Sequence, residues 1–196
     1  MTRDFSEKNI LDLCRKGNRN AFDELMRRYE KKVYNFAYRL CGNYDEANDI
    51  ASESFVRVYN AISNFRGDSA FITWLFRIVN NVYLDEKKRK RNHPTQSLEE
   101  YIQLEESSVN IQVEDMSPTP PQLAERKMES ELIQSAINKL PDYQRLMIIL
   151  YHFEERSYEE IAEIMGLPIG TVKSRLNRAR LALKEILAPI KEHFTS

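Results

Sequence analysis

Glycine is scarce in this chain, and the commonest phosphate-binding chemistry is missing with it. The 196 residues include 5 glycines, and none of them forms a glycine-rich phosphate loop or a Gly-x-Ser-x-Gly elbow. Histidine is equally sparse: His93, His152 and His193 stand far apart with no partner pattern, and they read as surface residues. The two cysteines, Cys14 and Cys41, lack metal-site spacing and fit free thiols in a reducing compartment. No apolar run approaches the roughly 20 residues of a membrane span, and the N-terminal MTRDFSEKN lacks the apolar core of a signal peptide. The expectation is a cytoplasmic protein with no direct membrane insertion, no catalytic residue, no metal site and no cofactor. A binding function follows. Few glycines and few β-branched alternations also disfavour sheet, which leaves an all-α fold of two small helical domains joined by a flexible acidic linker.

What is present is charge, unevenly placed. The net charge is −1, which looks wrong for a nucleic-acid binder. Between Asn92 and Glu125, however, the acids Glu99, Glu100, Glu105, Glu106, Glu114, Asp115 and Glu125 occur with no Lys or Arg. The rest of the chain is therefore net basic. Residues 92–122, rich in Ser, Thr and Gln and closed by Pro118, Pro120 and Pro121, read as a tether with at most a helical turn near Leu98 to Leu104.

The most informative stretch is SYEEIAEIMGLPIGTVKSRLNRARLALK, Ser157 to Lys184. Ser157 and Glu160 have the spacing of a capping box, Gly166 stops the first helix, and Pro168 opens the second. In that second helix Ile169, Val172, Leu176, Ala179 and Leu183 share one face, and Gly170, Lys173, Ser174, Asn177 and Arg178 share the other. A cationic, donor-rich face that begins with a bare glycine suits a DNA major groove. The bland alternative is an amphipathic hairpin with a solvated basic side. The spacing predicts two further helices before this pair, from about Gln122 to Lys139 and from Asp142 to about Glu154. Pro189 is expected to end the last helix.

Residues 5–91 form the other predicted helical domain. Its helices are expected to start at Ser6, at an Asn20–Asp23 cap, at about Tyr44 and at Phe71. The third shows the acidic edge Asp45, Asp49, Ser52 and Glu53. The fourth buries Phe71, Leu75, Ile78 and Val82. Beside that stripe it carries Trp74, Arg77, Asn81 and Lys88, a ring with donors and cations such as hold single-stranded bases. Asp85 on the same side counts against this, while an exposed Phe65 and the run Lys87 to Arg91 count for it.

FRGDSAFITWLFRIVNN with its basic run, the acidic tether, and LPDYQRLMIILYHFEERSYEEIAEIMGLPIGTVKSRLNRAR together resemble the extracytoplasmic-function (ECF) sigma factors, the small two-domain branch of the bacterial sigma-70 family. The resemblance spans about 20–91 and 123–185. It implies that the first domain, 5–91, binds core RNA polymerase through Asp45, Asp49, Ser52 and Glu53, where the family's usual Gln is replaced by Ser52. It implies that this domain also opens the −10 promoter element, with Phe65 and Asn81 on a flipped base and Arg66, Asp68, Ser69, Trp74, Arg77 and Lys88 around them. The second domain, 123–194, would read the −35 element of promoter DNA through Lys173, Ser174, Asn177 and Arg178, flanked by Arg156, Ser157, Tyr158, Gly170 and Thr171. An anti-sigma factor is the implied regulator. An activator would need a receiver or ligand domain, and a recombinase or nuclease would need nucleophiles or metal ligands. Neither pattern is found.

Overall fold

The computed structural model describes residues 6–92 and 120–194. Residues 93–119, with most of the acidic stretch and the possible turn near Leu98, lie outside the described residues. Among the described residues there is no strand, and the chain forms helices α1 (Glu7–Arg15), α2 (Arg19–Cys41), α3 (Tyr44–Ala61), α4 (Phe71–Asn92), α5 (Pro120–Asn138), α6 (Asp142–Ile148), α7 (Tyr158–Met165) and α8 (Ile169–Phe194). A 3-10 turn, Ile62–Asn64, leaves α3, and a π-helical turn, Ile149–Phe153, prolongs α6.

Caps decide where these helices begin. Ser6 accepts from the Asn9 amide, and Asn43 accepts from that of Glu46 at 3.0 Å. The second helix begins earlier than its predicted cap: Asn18 accepts from the Ala21 amide at 3.1 Å, so Asn20 and Asp23 lie inside the helix. Gly42 closes α2 in the left-handed region at φ 73°, which a β-carbon disfavours. At the other end of the chain α8 runs through Pro189 to Phe194, correcting the expected stop. A proline removes one amide donor and kinks a helix, but it need not end one.

In the first group, α1 to α4, the fully buried Val33, Phe36, Ala37, Leu40, Leu75, Phe76, Val79 and Val82 form the centre. The second group, α5 to α8, buries Leu140, Met147, Ile148, Leu176 and Ala179 around α6 and α8. The two cores are continuous: Ile137, Leu146, Ile149, Leu150, Ile161, Ile164 and Val172 join the cluster of the first group. The contact is built on α4. Besides its predicted stripe, α4 buries Thr73, Phe76, Asn80 and Tyr83, and α4 packs on α7.

Polar bonds close this contact. Arg145 is 7% exposed, and its guanidinium donates to the Leu40 carbonyl at 2.7 Å, the Asn138 carbonyl at 2.5 Å and the Leu140 carbonyl at 3.1 Å. It thereby ties carbonyls at the ends of α2 and α5, which no longer have intrahelical partners. The Tyr83 hydroxyl donates to Asp142 at 3.0 Å, Lys87 pairs with Asp142 at 2.5 Å, and Thr73 donates to Glu160 at 3.1 Å. Gln134 donates to the Arg39 carbonyl at 3.1 Å. A β-carbon on Gly42 would stand 2.3 Å from Asn138 Nδ2, so the second group presses directly against the end of α2.

Candidate nucleic-acid interface

The helix-turn-helix begins with the predicted capping box. The Glu160 amide donates to Ser157 Oγ at 3.1 Å, and the Ser157 amide donates to the Glu160 carboxylate at 2.8 Å. Gly166 leaves α7 at φ 64°. Val172, Leu176 and Ala179 then hold α8 in the core, while Gly170, Lys173, Ser174, Asn177 and Arg178 are exposed together and Thr171 is half-buried. Ile169, predicted inward, is 38% exposed, because the first residue of α8 precedes the packed turn, and Leu183 is half-buried. Nothing lies within 4 Å of a β-carbon built on Gly170, so packing does not require glycine there. The bare backbone instead leaves the start of the polar face open to close approach.

Two flanking groups complete this face. Lys173 Nζ sits 5.8 Å from the Tyr158 ring, which stacks on Tyr151. Arg178 shares a shallow pocket with Arg175 and Tyr143, and the Arg175 guanidinium lies 6.0 Å above the Tyr143 ring. Arg175 and Tyr143 were missed in sequence: Arg175 falls off the i, i+3, i+4 series, and Tyr143 belongs to another helix. Arg156, which the resemblance places beside this face, is half-buried. It donates to the Glu154 carbonyl at 2.6 Å and pairs with Glu160 at 2.9 Å. Burial alone would raise the Glu160 carboxyl, but the Ser157 amide, Arg156 and Thr73 outweigh it and hold it below its usual value.

On the first group, Arg77, Asn81 and Lys88 are exposed along the outer side of α4, and Trp74 beside them is half-buried. Asp85, which counted against this face, is neutralised by Arg57 at 2.7 Å, and Arg57 also pairs with Glu53 at 2.8 Å. Phe65 corrects the expectation of an exposed ring, for it is 6% exposed. Its amide donates back to the Ile62 carbonyl, which turns the chain inward. The ring lies 5.7 Å from Phe71 and 5.0 Å from Trp74, and the Arg15 guanidinium covers it at 5.3 Å. Burying a phenyl ring is worth about 1.5–3 kcal/mol, enough to fold it away when no base is offered. Arg66 and Asp68 of the same loop are exposed, and Ser69 is half-buried.

The α3 edge is open. Asp45, Asp49 and Ser52 are exposed, while Glu53 is drawn towards Arg57. Beside Ser52 a groove of about 680 Å³ runs between α2 and α3, lined chiefly by Phe22, Met26, Tyr34, Phe55, Val56 and Tyr59. Val56 is 55% exposed and Tyr59 48%. The sequence reading took this side of α3 for an acidic edge alone, because apolar residues on a polar face look incidental until a second helix makes them a groove wall.

Among the described residues no group of three or more His, Cys, Asp or Glu side chains could hold a metal ion. Burial pushes the Cys14 thiol up to about 11, so it is a poor nucleophile. Among the described residues no helix is long and apolar enough to cross a membrane.

Comparison with known proteins agrees with the geometry. Residues 25–93 match the family Sigma-70 region 2, and residues 130–183 match Sigma-70, region 4. The ECF RNA polymerase sigma factor SigW of Bacillus subtilis is 37% identical over 181 residues, covering 92% of this chain and 96% of its own. The RNA polymerase sigma-H factor of Pseudomonas aeruginosa is 33% identical, covering 94% and 95%. The sigma factor RpoE of Bartonella quintana, solved with the anti-sigma factor NepR, superposes with a TM-score of 0.62 at 27% identity over 85% of this chain and 96% of that one. CnrH, solved with the cytosolic domain of CnrY, shares the fold with a TM-score of 0.66 at 22% identity, over 93% and 97%. Regions 2 and 4 in this order, each on its own helical group, define a sigma-70-type RNA polymerase sigma factor, a promoter-recognition protein. Within that class, the chain belongs to the extracytoplasmic-function branch.

Proposed function

We propose that this chain binds core RNA polymerase in the cytoplasm and directs it to a two-part promoter, acting by binding alone. Residues 5–91 serve as the core-binding and −10 unit, 92–122 as the tether, and 123–194 as the −35 unit. The observation that carries this reading is the pairing, in one chain, of an exposed Lys173–Ser174–Asn177–Arg178 face with an exposed Arg77–Asn81–Lys88 face on separate helical groups. Arg178 and Asn177 hydrogen-bond base edges of the −35 element; Lys173, Arg175 and Tyr143 engage the flanking backbone. On α4, Asn81 and Trp74 take an extruded base of the −10 element, with Phe65 joining them once the loop at Arg66 to Ser69 swings out. Lys88 and the basic end of α4 follow phosphates.

Polymerase docks on the α3 edge. Asp45, Asp49 and Ser52 supply the polar contacts, and the neighbouring groove, with Val56 and Tyr59 on its wall, supplies the apolar ones. An anti-sigma factor is the fitting regulator, since the Bartonella relative was solved bound to one.

In vitro transcription with purified core polymerase on a genomic fragment library, followed by start-site mapping, tests the reading. The expected result is a discrete set of starts that share −35 and −10 sequences and need this protein. Tight sequence-specific binding to duplex DNA without core, and no start selection with it, would refute it.

A further inference from the structure

We propose that Arg15 of α1 is a further positioning residue of the −10 site: it locks the Phe65 ring inside the first helical group and so sets how readily a promoter base is taken out of the duplex. The role of Phe65 in that step rests on the proposed promoter function.

The lock is built from α1. Ile10, Leu11 and Cys14 bury one side of this helix in the core of the first group. The Tyr29 hydroxyl donates to Glu7 at the start of the helix, and the Tyr29 ring meets Phe71 edge-on at 5.1 Å. The helix is thereby fixed relative to Phe71, which with Trp74 walls the Phe65 socket. Arg15, the last residue of α1, then has a defined reach. Its guanidinium lies 5.3 Å from the centre of the Phe65 ring. Asp12, one turn back, accepts from Arg15 Nη1 at 2.8 Å and keeps the group over the ring. A β-carbon on Gly67 would stand 3.3 Å from Arg15 Nη2, so the backbone of the −10 loop rests on the same guanidinium.

An arginine serving only a surface ion pair has no reason to sit this way. The pair with Asp12 uses one edge of the fork, yet Arg15 Nε is buried without a partner. Withdrawing that donor from water is unfavourable. The cation on the ring face and the burial of the ring itself offset it.

The consequence falls on binding. A base stacks on Phe65 only in those molecules whose ring has left the socket, and the apparent affinity is the intrinsic one reduced by that fraction. A cation over an aromatic ring is strong enough to change the fraction about twofold to fivefold. Arg15 therefore acts through Phe65 and touches no base. It makes the protein demand a better −10 sequence before the strands open.

Two measurements test this. Fluorine NMR, with 4-fluorophenylalanine in place of Phe65, reads the free protein. Arg15→Ala should move the signal towards the solvent-exposed position, and Arg15→Lys, which keeps a cation, should stay near the parent. Fluorescence anisotropy of holoenzyme reads the consequence, using a labelled single strand that spans the −10 element of a promoter found by start-site mapping. Arg15→Ala should bind this strand about twofold to fivefold more tightly, with affinity for core unchanged, whereas damage to the fold would weaken binding. In a Phe65→Ala chain the same Arg15→Ala change should leave strand affinity unmoved, since no ring remains to be held. Weaker strand binding by Arg15→Ala, or a gain that persists without Phe65, would overturn the proposal. If the parent holoenzyme binds no −10 strand, the sigma reading fails, and the fluorine signal still decides whether Arg15 holds the ring: an unmoved signal in Arg15→Ala refutes the lock.

Discussion

Replacing Arg145 with Met is the sharpest test of how the two helical groups are held. Met keeps most of the apolar stem but removes every donor. Three carbonyls, those of Leu40, Asn138 and Leu140, lose partners at 2.7, 2.5 and 3.1 Å. A buried acceptor left unpaired costs about 1–3 kcal/mol. Against this, the variant no longer desolvates a guanidinium whose Nε has no partner even in the parent. The net expectation is a loss of about 3–5 kcal/mol, the range found when one member of a buried charged network is removed. At a urea slope of about 2 kcal/mol/M the midpoint falls by about 1.5–2.5 M. Arg145→Lys retains a point charge that reaches only some of the carbonyls, so it should fall between Met and the parent. Urea denaturation followed by circular dichroism and by Trp74 fluorescence provides the assay. In the parent the two probes should coincide, because one core spans both groups. In Arg145→Met they should separate, since Trp74 reports only the first group. A midpoint shift under about 0.3 M in the Met variant, with coincident probes, would mean that these carbonyls find other partners and that Arg145 holds nothing together.

Three further outcomes are expected. Asn177→Ala and Arg178→Ala should each relax base preference at one or two neighbouring −35 positions by about 1–3 kcal/mol, read by promoter selection with holoenzyme, whereas Arg175→Ala should weaken all sequences alike. Gly42→Ala should destabilise the protein by about 1–3 kcal/mol through left-handed strain and the Asn138 clash; Asn138→Ala should return the clash portion in a urea-melt double-mutant cycle. Acidification should act on stability in two stages, followed by urea melts at a series of pH values. Burial raises the Glu154 carboxyl, with Lys32, Arg39 and Arg156 facing it, so the folded chain gains slightly in stability as pH falls through that raised value. For Asp142, burial is outweighed by Lys87, Tyr83 and Arg145, and its value is lowered, as is that of Glu160. Their contribution is complete above the unfolded values of 3.8 and 4.5 and is lost as pH falls through the lower folded ones. Glu154→Gln should remove the first stage, and Asp142→Asn should blunt the second.

Much of the site was legible because it obeys local rules. The capping box at Ser157 and Glu160, the left-handed Gly166 and the polar face of α8 depend on residues within a few positions of one another. What escaped depends on partners distant in sequence. Nothing local marks Arg145 for burial, because charged side chains are seldom buried; only the carbonyl ends of α2 and α5, brought together by the fold, give it a reason to be inside. Phe65 reads as exposed because its loop is polar, yet Arg15 from α1 roofs it over. The groove beside Ser52 needs α2 as its second wall.

Helix α4 shows the same division on one element, and it yields a final prediction. At 3.6 residues per turn, successive residues are rotated by about 100°. Phe71, Leu75, Ile78 and Val82 fall on one stripe and pack into the first group. Thr73, Phe76, Asn80, Tyr83 and Lys87 fall on a second, and Trp74, Arg77, Asn81 and Lys88 on a third, the three lying about 100–150° apart. The first stripe is apolar and visible in sequence. The second contains Thr, Asn and Lys, and so was indistinguishable from a solvent face, although Thr73 is 1% exposed and Asn80 5%. Neighbouring residues therefore serve different partners, and substitutions should separate them. Thr73→Val keeps the shape but removes the donor to Glu160 at 3.1 Å; the net loss is about 0.5–1.5 kcal/mol. At a urea slope of about 2 kcal/mol/M the midpoint should fall by about 0.25–0.75 M, without a change in which bases are read. Asn81→Ala, on the exposed third stripe, should leave the midpoint unchanged and reduce permanganate-reactive open complex, since on the proposed reading this side chain meets a base and not the second group. If Asn81→Ala lowers the midpoint, or Thr73→Val selectively loses strand opening with the midpoint intact, the division of α4 into a packing stripe and a base-holding stripe is wrong.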